Sequence, residues 1–109
     1  MKSTVIVLLA LFVFASPVLA GELYGTIIDG KKPIAAGVKV EIAVSGKSYT
    51  AETGKFGSYR IAVKEKGKCT LTVHVGGQSP SVDLFSYDRS TRYDWVLETN
   101  DGKLSLRRK

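Results

Sequence analysis

Two neighbouring stretches of sequence decide the fold, TGKFGSYRIAV (Thr53–Val63) and CTLTVHV (Cys69–Val75), joined by the linker KEKGK. Apolar and polar residues alternate strictly in both stretches, which is the period of a β-strand with one buried face. The linker is charged and contains a glycine, as turns often do. The pattern therefore predicts a β-hairpin whose first strand buries Tyr59, Ile61 and Val63.

Segments on either side of this hairpin alternate in the same way. Leu23–Ile28 ends at the turn dipeptide Asp29-Gly30, and Val38–Val44 places apolar residues at every second position. The remaining candidate strands are Ser48–Thr53, Val82–Phe85, Tyr93–Glu98 and Leu104–Leu106. No segment of residues 21–109 carries apolar residues at helical spacing. The sequence therefore predicts an all-β fold, an antiparallel β-sandwich of seven to eight strands forming one domain over residues 21–109.

The first twenty residues follow a different pattern. Lys2 precedes eleven consecutive apolar residues, Val5–Ala15, and Val18 and Ala20 stand at the positions that a signal peptidase reads. We predict a cleavable signal-peptide helix over residues 1–20; an uncleaved anchor is the alternative, although the run is short for a span of about 30 Å. The protein is therefore expected to be exported, periplasmic or extracellular, with at most peripheral membrane contact after cleavage.

Charge restricts the choice of partner. The full chain carries a net charge of +6, and part of the excess lies in a basic tail formed by Lys103, Arg107, Arg108 and Lys109. Export argues against nucleic acid as a partner. Two roles are open for this tail: it keeps the protein soluble, or it contacts an anionic surface such as a phospholipid, an acidic glycan or an acidic protein.

Groups that enzymes and metal sites commonly need are scarce. Cys69 is the single cysteine, so no internal disulfide is possible; alternation places it on the buried face with Leu71, and an intermolecular disulfide is the alternative. His74 is the single histidine and is expected to face solvent or a sheet edge. With no second histidine and no G-x-S-x-G motif, the sequence predicts no catalytic residue, no metal site and no cofactor.

Three motifs resemble those of carboxypeptidase regulatory-like domains. Gly25-Thr26-Ile27 followed by KPIAAGVKV (Lys32–Val40) is similar to the first two strands of that family, TGKFGSY (Thr53–Tyr59) to its turn, and Gly67–Val73 to a later strand. The resemblance covers about Leu23–Gly77 and departs from the family pattern at Gly54, where Asp is usual, and at Cys69, where an aromatic residue is usual. It implies a seven-stranded transthyretin-like (prealbumin-like) Greek-key sandwich without catalytic activity, of a kind common on secreted and envelope proteins.

Two enzyme groups with similar sandwiches lack support in this chain. Hydroxyisourate hydrolases need several histidines and a C-terminal YRGS, whereas this chain ends in Leu106-Arg107-Arg108-Lys109. Intradiol dioxygenases need two histidines and two tyrosines on iron. We therefore predict that the protein is not an enzyme.

One stretch mixes aromatic and arginine side chains: Phe85, Tyr87, Arg89 and Arg92 form a candidate binding patch for a sugar ring or an anionic partner. The preferred hypothesis is a module that binds another envelope or secreted protein, which requires an uncovered strand edge or loop. A carbohydrate-binding, starch-binding-like module is the alternative and requires two exposed aromatics on one surface. A third hypothesis is a structural protein that contacts anionic polymers through the basic tail.

Overall fold

The structure, a computed structural model, describes residues 21–109 as two β-sheets packed face to face. The strands are β1 (Gly21–Asp29), β2 (Lys32–Pro33), β3 (Lys39–Val44), β4 (Lys47–Glu52), β5 (Ser58–Val63), β6 (Gly67–His74), β7 (Ser81–Ser86), β8 (Thr91–Arg92), β9 (Trp95–Asn100) and β10 (Lys103–Arg108). Within this range no helix is long and apolar enough to cross a membrane. The predicted signal-peptide helix lies outside the described residues.

Sheet I is built around β1. The first half of β1 pairs with β5 on one edge and β8 on the other, its last residues pair with β2 and β9, and β10 lies outside β9. The pairings of β1 with β8 and β9 are parallel, which departs from the purely antiparallel sandwich that the alternation predicts. These parallel neighbours follow β1 by most of the length of the domain, a long-range connection that local sequence patterns do not report.

Sheet II is antiparallel, with the strand order β4-β3-β6-β7. The inward faces of both sheets form the core, and the predicted alternation is confirmed there. Tyr59, Ile61 and Val63 are buried on β5, and Leu71 and Val73 are buried on β6. The single cysteine is also buried, and burial raises the pKa of its thiol. The β-sandwich fold predicted from the sequence is thus confirmed.

The predicted central hairpin is wrong. β5 pairs with β1 in sheet I, whereas β6 pairs with β3 and β7 in sheet II, so residues 64–66 cross from one sheet to the other. The physical reason is that alternation shows only that each strand has one buried face. Two strands that face each other across a core carry the same pattern as two strands that pair side by side.

Side chains cover two of the free strand edges. The Tyr93 hydroxyl accepts a hydrogen bond from the Phe85 N–H (3.2 Å) and donates one to the Phe85 carbonyl (3.0 Å), which occupies the free edge of β7. The Gln78 amide does the same for β10, accepting from the Leu104 N–H (2.9 Å) and donating to the Gly102 carbonyl (2.8 Å). β4 pairs only with β3 among the described strands, so its other backbone edge lacks a ladder partner.

A buried polar contact holds the end of β9 to β5. The Tyr59 hydroxyl donates to the Tyr93 carbonyl at 2.6 Å and accepts from Trp95 Nε1 at 3.1 Å. The rings of Tyr93 and Trp95 stack with centroids 5.6 Å apart. Burial raises the pKa of Tyr59, so its hydroxyl stays protonated and serves as both donor and acceptor.

Candidate binding face

An aromatic ring between two arginines lies on the outer face of sheet I. Alternation along β1 turns Tyr24 outward, and the strand register places Arg60 of β5 and Arg92 of β8 directly beside it on opposite sides. The guanidinium carbons lie 5.0 Å (Arg60) and 6.0 Å (Arg92) from the centre of the Tyr24 ring. These distances are those of cation–π contacts, so the three side chains form one ordered row across the sheet.

Carboxylates neutralise both arginines of this row. Arg60 Nη1 lies 2.5 Å from Glu22 Oε1, and Arg92 Nε lies 3.0 Å from Asp94 Oδ2. Because both guanidinium side chains are more than half exposed, each pair contributes only about 0–1 kcal/mol to stability. The face therefore offers paired donors and acceptors without a net positive charge.

A groove of about 530 Å³ opens along this row. It is lined by Tyr24, Thr26, Glu52, Ser58, Arg60 and Arg92, together with the backbone at Gly25 and Gly54. Its volume falls in the range of about 300–1,000 Å³ that is usual for ligand sites. Strands of both sheets contribute to it, because Glu52 ends β4 of sheet II while the other side chains belong to sheet I.

Asp94 is tied into the sheet beneath the groove. Its carboxylate accepts hydrogen bonds from the Thr26 N–H (2.9 Å) and from Thr26 Oγ1 (3.1 Å), in addition to the contact with Arg92. Burial alone would raise the pKa of Asp94, but the hydrogen bonds from Arg92 and Thr26 outweigh it and hold this pKa below its usual value.

The lowered Asp94 pKa predicts a pH dependence of folding. A carboxyl whose pKa is lower in the folded state contributes stability above its unfolded pKa of about 3.9 and loses it as the pH falls through the folded value. Denaturation of the wild type should therefore show a decline below about pH 4 that is shallower in Asp94→Asn. Asp83→Asn, a change at an exposed carboxylate with no comparable set of donors, is the control; equal acid slopes in both variants would contradict the assignment.

An exposed aromatic residue borders the groove. Phe56 lies in a 3₁₀ turn (Lys55–Gly57) between the groove-lining residues Gly54 and Ser58, and 79% of its surface is exposed. Its backbone is left-handed, with φ of 60°. Gly57 follows at φ of 71°, where a Cβ atom would lie 2.5 Å from the Ile27 carbonyl oxygen, so a glycine is needed there.

The predicted aromatic–arginine patch is divided between two places. Phe85 and Tyr87 are 48% and 41% exposed, and the Arg89 guanidinium carbon lies 5.3 Å from the centre of the Tyr87 ring. Arg92 instead contacts Asp94 and Tyr24 and belongs to the groove. Arg89 thus lies against Tyr87 just beyond the end of β7, and Phe85 is exposed within that strand.

The predicted basic tail is largely part of a strand. Lys103, Arg107 and Arg108 lie in β10, and the Lys109 N–H donates to the Asp94 carbonyl at 2.9 Å. Arg107 pairs with Glu98, and the Arg108 guanidinium carbon lies 4.4 Å from the centre of the Tyr93 ring. Both arginines therefore make contacts within the fold.

Sequence reasoning missed Tyr24, Arg60 and Phe56. An outward aromatic on a half-buried strand is visible in the pattern around Tyr24, and an aromatic residue before Gly57 is visible in the turn. Only the strand register, however, shows that both arginines meet the same ring. Among residues 21–109, no group of three or more His, Cys, Asp or Glu side chains is arranged to hold a metal ion.

Comparison with known proteins gives a fold but no family. No family model matches the sequence, and no curated protein matches it. Among solved structures, 5-hydroxyisourate hydrolase of Klebsiella pneumoniae superposes with a TM-score of 0.60 at 19% identity, over 82% of this chain and 98% of the hydrolase. The fold is transthyretin-like.

A second solved structure also superposes on this sandwich. A candidate carbohydrate-binding protein of Bacteroides uniformis superposes with a TM-score of 0.53 at 16% identity, over 81% of this chain. The match spans 53% of that protein, so this chain corresponds to about half of it. At these identities the likeness concerns the fold alone.

The prediction that the protein is not an enzyme is wrong as a conclusion from sequence and fold. The hydrolase is an enzyme, and nearly its whole length matches this transthyretin-like sandwich. Scarcity of histidine and cysteine was the basis of the prediction, but two facing sheets also present polar outer faces and loops on which catalytic groups can be placed. The fold by itself decides neither for nor against catalysis.

Proposed function

We propose that the protein is an exported module that binds another protein of the cell envelope through the Tyr24 groove and the adjoining Phe56 turn. The observation that carries this proposal is the large exposed side chain of Phe56 on a left-handed backbone. Left-handed conformations cost a bulky residue about 1–2 kcal/mol. Folding gains little in return, because most of this side chain remains in water.

Comparable turns in the same chain use smaller polar residues. Ser45 and Asp101 also have positive φ, at 48° and 51°, and each is followed by a glycine with positive φ. Phe56 and Gly57 repeat this arrangement, but the first of the two residues is aromatic. Strained positions of this kind concentrate at binding and catalytic sites, so the aromatic residue is best explained by a contact outside the chain.

The surroundings of Phe56 suit a protein surface. Aromatic and arginine side chains dominate the energetically important residues of protein interfaces, and the groove supplies Tyr24, Arg60 and Arg92. The balanced charges favour a partner with mixed polar groups over a strongly anionic one. The open edge of β4 ends at Glu52, which lines the groove, so an extended partner segment has backbone groups to pair with nearby.

Export is part of the proposal because of the sequence of residues 1–20. The basic start, the apolar run and the small residue at position 20 support cleavage and release into the periplasm or medium. The resemblance of Leu23–Gly77 to carboxypeptidase regulatory-like domains agrees with an envelope role.

Substitution of Phe56 separates folding from binding. Phe56→Asn should raise the free energy of unfolding by about 0.5–1 kcal/mol, because asparagine tolerates positive φ better than phenylalanine. The same variant should lose the proteins that wild type captures from envelope extract, measured by quantitative mass spectrometry of the captured material. Ser45→Asn is the matched control, with a small gain in stability and unchanged capture. Unchanged capture by Phe56→Asn would remove the basis for the proposal.

Glycan binding is a second candidate, favoured by a different surface. Phe85 and Tyr87 are two residues apart and both exposed, and the Arg89 guanidinium carbon lies 5.3 Å from the centre of the Tyr87 ring, so this region offers exposed rings of the kind that stack on sugars. Sharing of the sandwich with a candidate carbohydrate-binding protein is consistent with this use. Calorimetric titration with soluble envelope glycans, compared between wild type and Tyr87→Ala, tests it; the absence of heat in both would leave protein binding as the single candidate.

A further inference from the structure

A three-residue hydrogen-bonded relay lies on the outer face of sheet II, away from the groove. His74 Nε2 lies 2.9 Å from Glu41 Oε1, and His74 Nδ1 lies 3.2 Å from Ser79 Oγ. The register of β3 and β6 places Glu41 diagonally beside His74, and Ser79 follows the turn that leaves β6. Both imidazole nitrogens are therefore engaged, one by a carboxylate and one by a hydroxyl.

The contacts define where the protons lie. A carboxylate only accepts, so Glu41 selects the tautomer with hydrogen on His74 Nε2. Nδ1 is then unprotonated and accepts the hydrogen of Ser79 Oγ. Glu41 is held in place by Ser48, whose hydroxyl donates to Oε2 at 2.6 Å, and hydrogen bonds from Ser48 and His74 hold the pKa of Glu41 below its usual value. The carboxylate form that the relay requires is thereby favoured.

We propose that Ser79, His74 and Glu41 form an acyl-transfer site that hydrolyses small carboxylic esters. The arrangement of nucleophile, base and orienting carboxylate is the one that activates serine, with both distances within or at the limit of about 2.6–3.2 Å. The imidazole is used in the reverse sense to the common triad, in which serine contacts Nε2 and the carboxylate contacts Nδ1.

The reaction balances with water as co-reactant. Ser79 Oγ attacks the ester carbonyl carbon while its proton passes to His74 Nδ1, and the tetrahedral intermediate collapses as the ester C–O bond breaks. The leaving alcohol takes the proton from His74, which leaves an acyl group on Ser79. Water then attacks this acyl group, giving its proton to Nδ1, and the carboxylic acid is released as Ser79 regains its hydrogen.

Ser79 lies on an open part of the surface. Ser79 is exposed and follows Gly76 and Gly77, at each of which an added Cβ would have no neighbour within 4 Å. The site is thus open to solvent, and a small ester such as an acetate can reach Ser79 Oγ. The N–H groups of Gly76 and Gly77, three and two residues before Ser79, form no backbone hydrogen bond within residues 21–109.

This proposal is independent of the proposed binding function, because none of Ser79, His74 and Glu41 lines the groove. The test incubates purified protein with 4-nitrophenyl acetate, follows nitrophenolate release and locates the acetyl group by peptide mass spectrometry. We expect acetylation of Ser79 and a rate that falls by about 10²-fold in Ser79→Ala and His74→Gln, as for the loss of general base catalysis. Glu41→Gln, a change at the positioning residue, should lower the rate and alter its pH profile.

A serine elsewhere on the surface provides the control. Ser105→Ala, at a surface serine of β10, should keep the wild-type rate, and circular dichroism should show all variants folded, since Ser79 is exposed and the His74 and Glu41 side chains are 37% and 31% accessible. The proposal is overturned if Ser79 stays unmodified, or if folded Ser79→Ala or His74→Gln reacts as fast as wild type. Acetylation confined to lysines would show nonspecific chemistry and would also overturn it.

Discussion

Replacement of Gly25 by alanine is expected to destabilise the protein by about 3 kcal/mol or more. Gly25 lies in β1 where the backbone of Tyr93 crosses close to it, and the Tyr93 N–H donates to the Tyr24 carbonyl at 2.8 Å. A Cβ on Gly25 would overlap the Tyr93 carbonyl oxygen and reach Asp94 Oδ1 at 2.9 Å. Two backbone segments at the centre of sheet I would have to separate.

A second glycine isolates the effect of crowding. Gly46 has φ of 77°, but a Cβ there would meet nothing within 4 Å, so Gly46→Ala should cost only about 1 kcal/mol from backbone strain. Urea denaturation of both variants, with the midpoint and the slope measured, gives the comparison. Similar losses in the two variants would mean that β1 can shift away from Tyr93 and that the close approach matters little.

The second large effect is expected for Tyr59→Phe. Removal of this hydroxyl leaves two buried groups without a partner, the Tyr93 carbonyl and Trp95 Nε1. An unsatisfied buried polar group costs about 1–3 kcal/mol, so the loss should be about 2–4 kcal/mol although the ring and its packing remain. Such a loss is a large part of the free energy of unfolding of a small domain, which is about 5–15 kcal/mol.

A tyrosine with a solvent-accessible partner provides the comparison. The Tyr49 hydroxyl donates to Glu65 Oε1 at 2.6 Å, but water can replace either group, so Tyr49→Phe should cost less than about 1 kcal/mol. Thermal and urea unfolding followed by far-UV circular dichroism measure both variants. If Tyr59→Phe lowered the free energy of unfolding no more than Tyr49→Phe, the Tyr59–Trp95 contact would not contribute to stability as expected.

The sequence predicts the buried face of most strands. Tyr59 and Ile61 point inward as their alternation with Arg60 requires, whereas in β9 Val96 is buried together with its neighbours Trp95 and Leu97. This success has a simple cause: burial in a sheet repeats every second residue, so a window of six residues contains the information.

A window of six residues does not show which strands pair or which side chains form the binding face. The hairpin of β5 and β6 was predicted because the two strands are neighbours in sequence, yet they lie in different sheets. Tyr24 gains its two arginines from segments 36 and 68 residues further along the chain, and Glu41 meets His74 from 33 residues away. Contacts of that range depend on register, which no local pattern specifies.

Position along the chain gives β1 a further significance. It is the first strand of the described domain, and the hydrogen bond from Thr26 to Asp94 spans 68 residues. A ribosome must therefore synthesise nearly the entire domain before the central strand of sheet I can acquire its parallel neighbours. Contacts between such distant residues form slowly, so sheet I should be completed only when synthesis of the domain is almost finished.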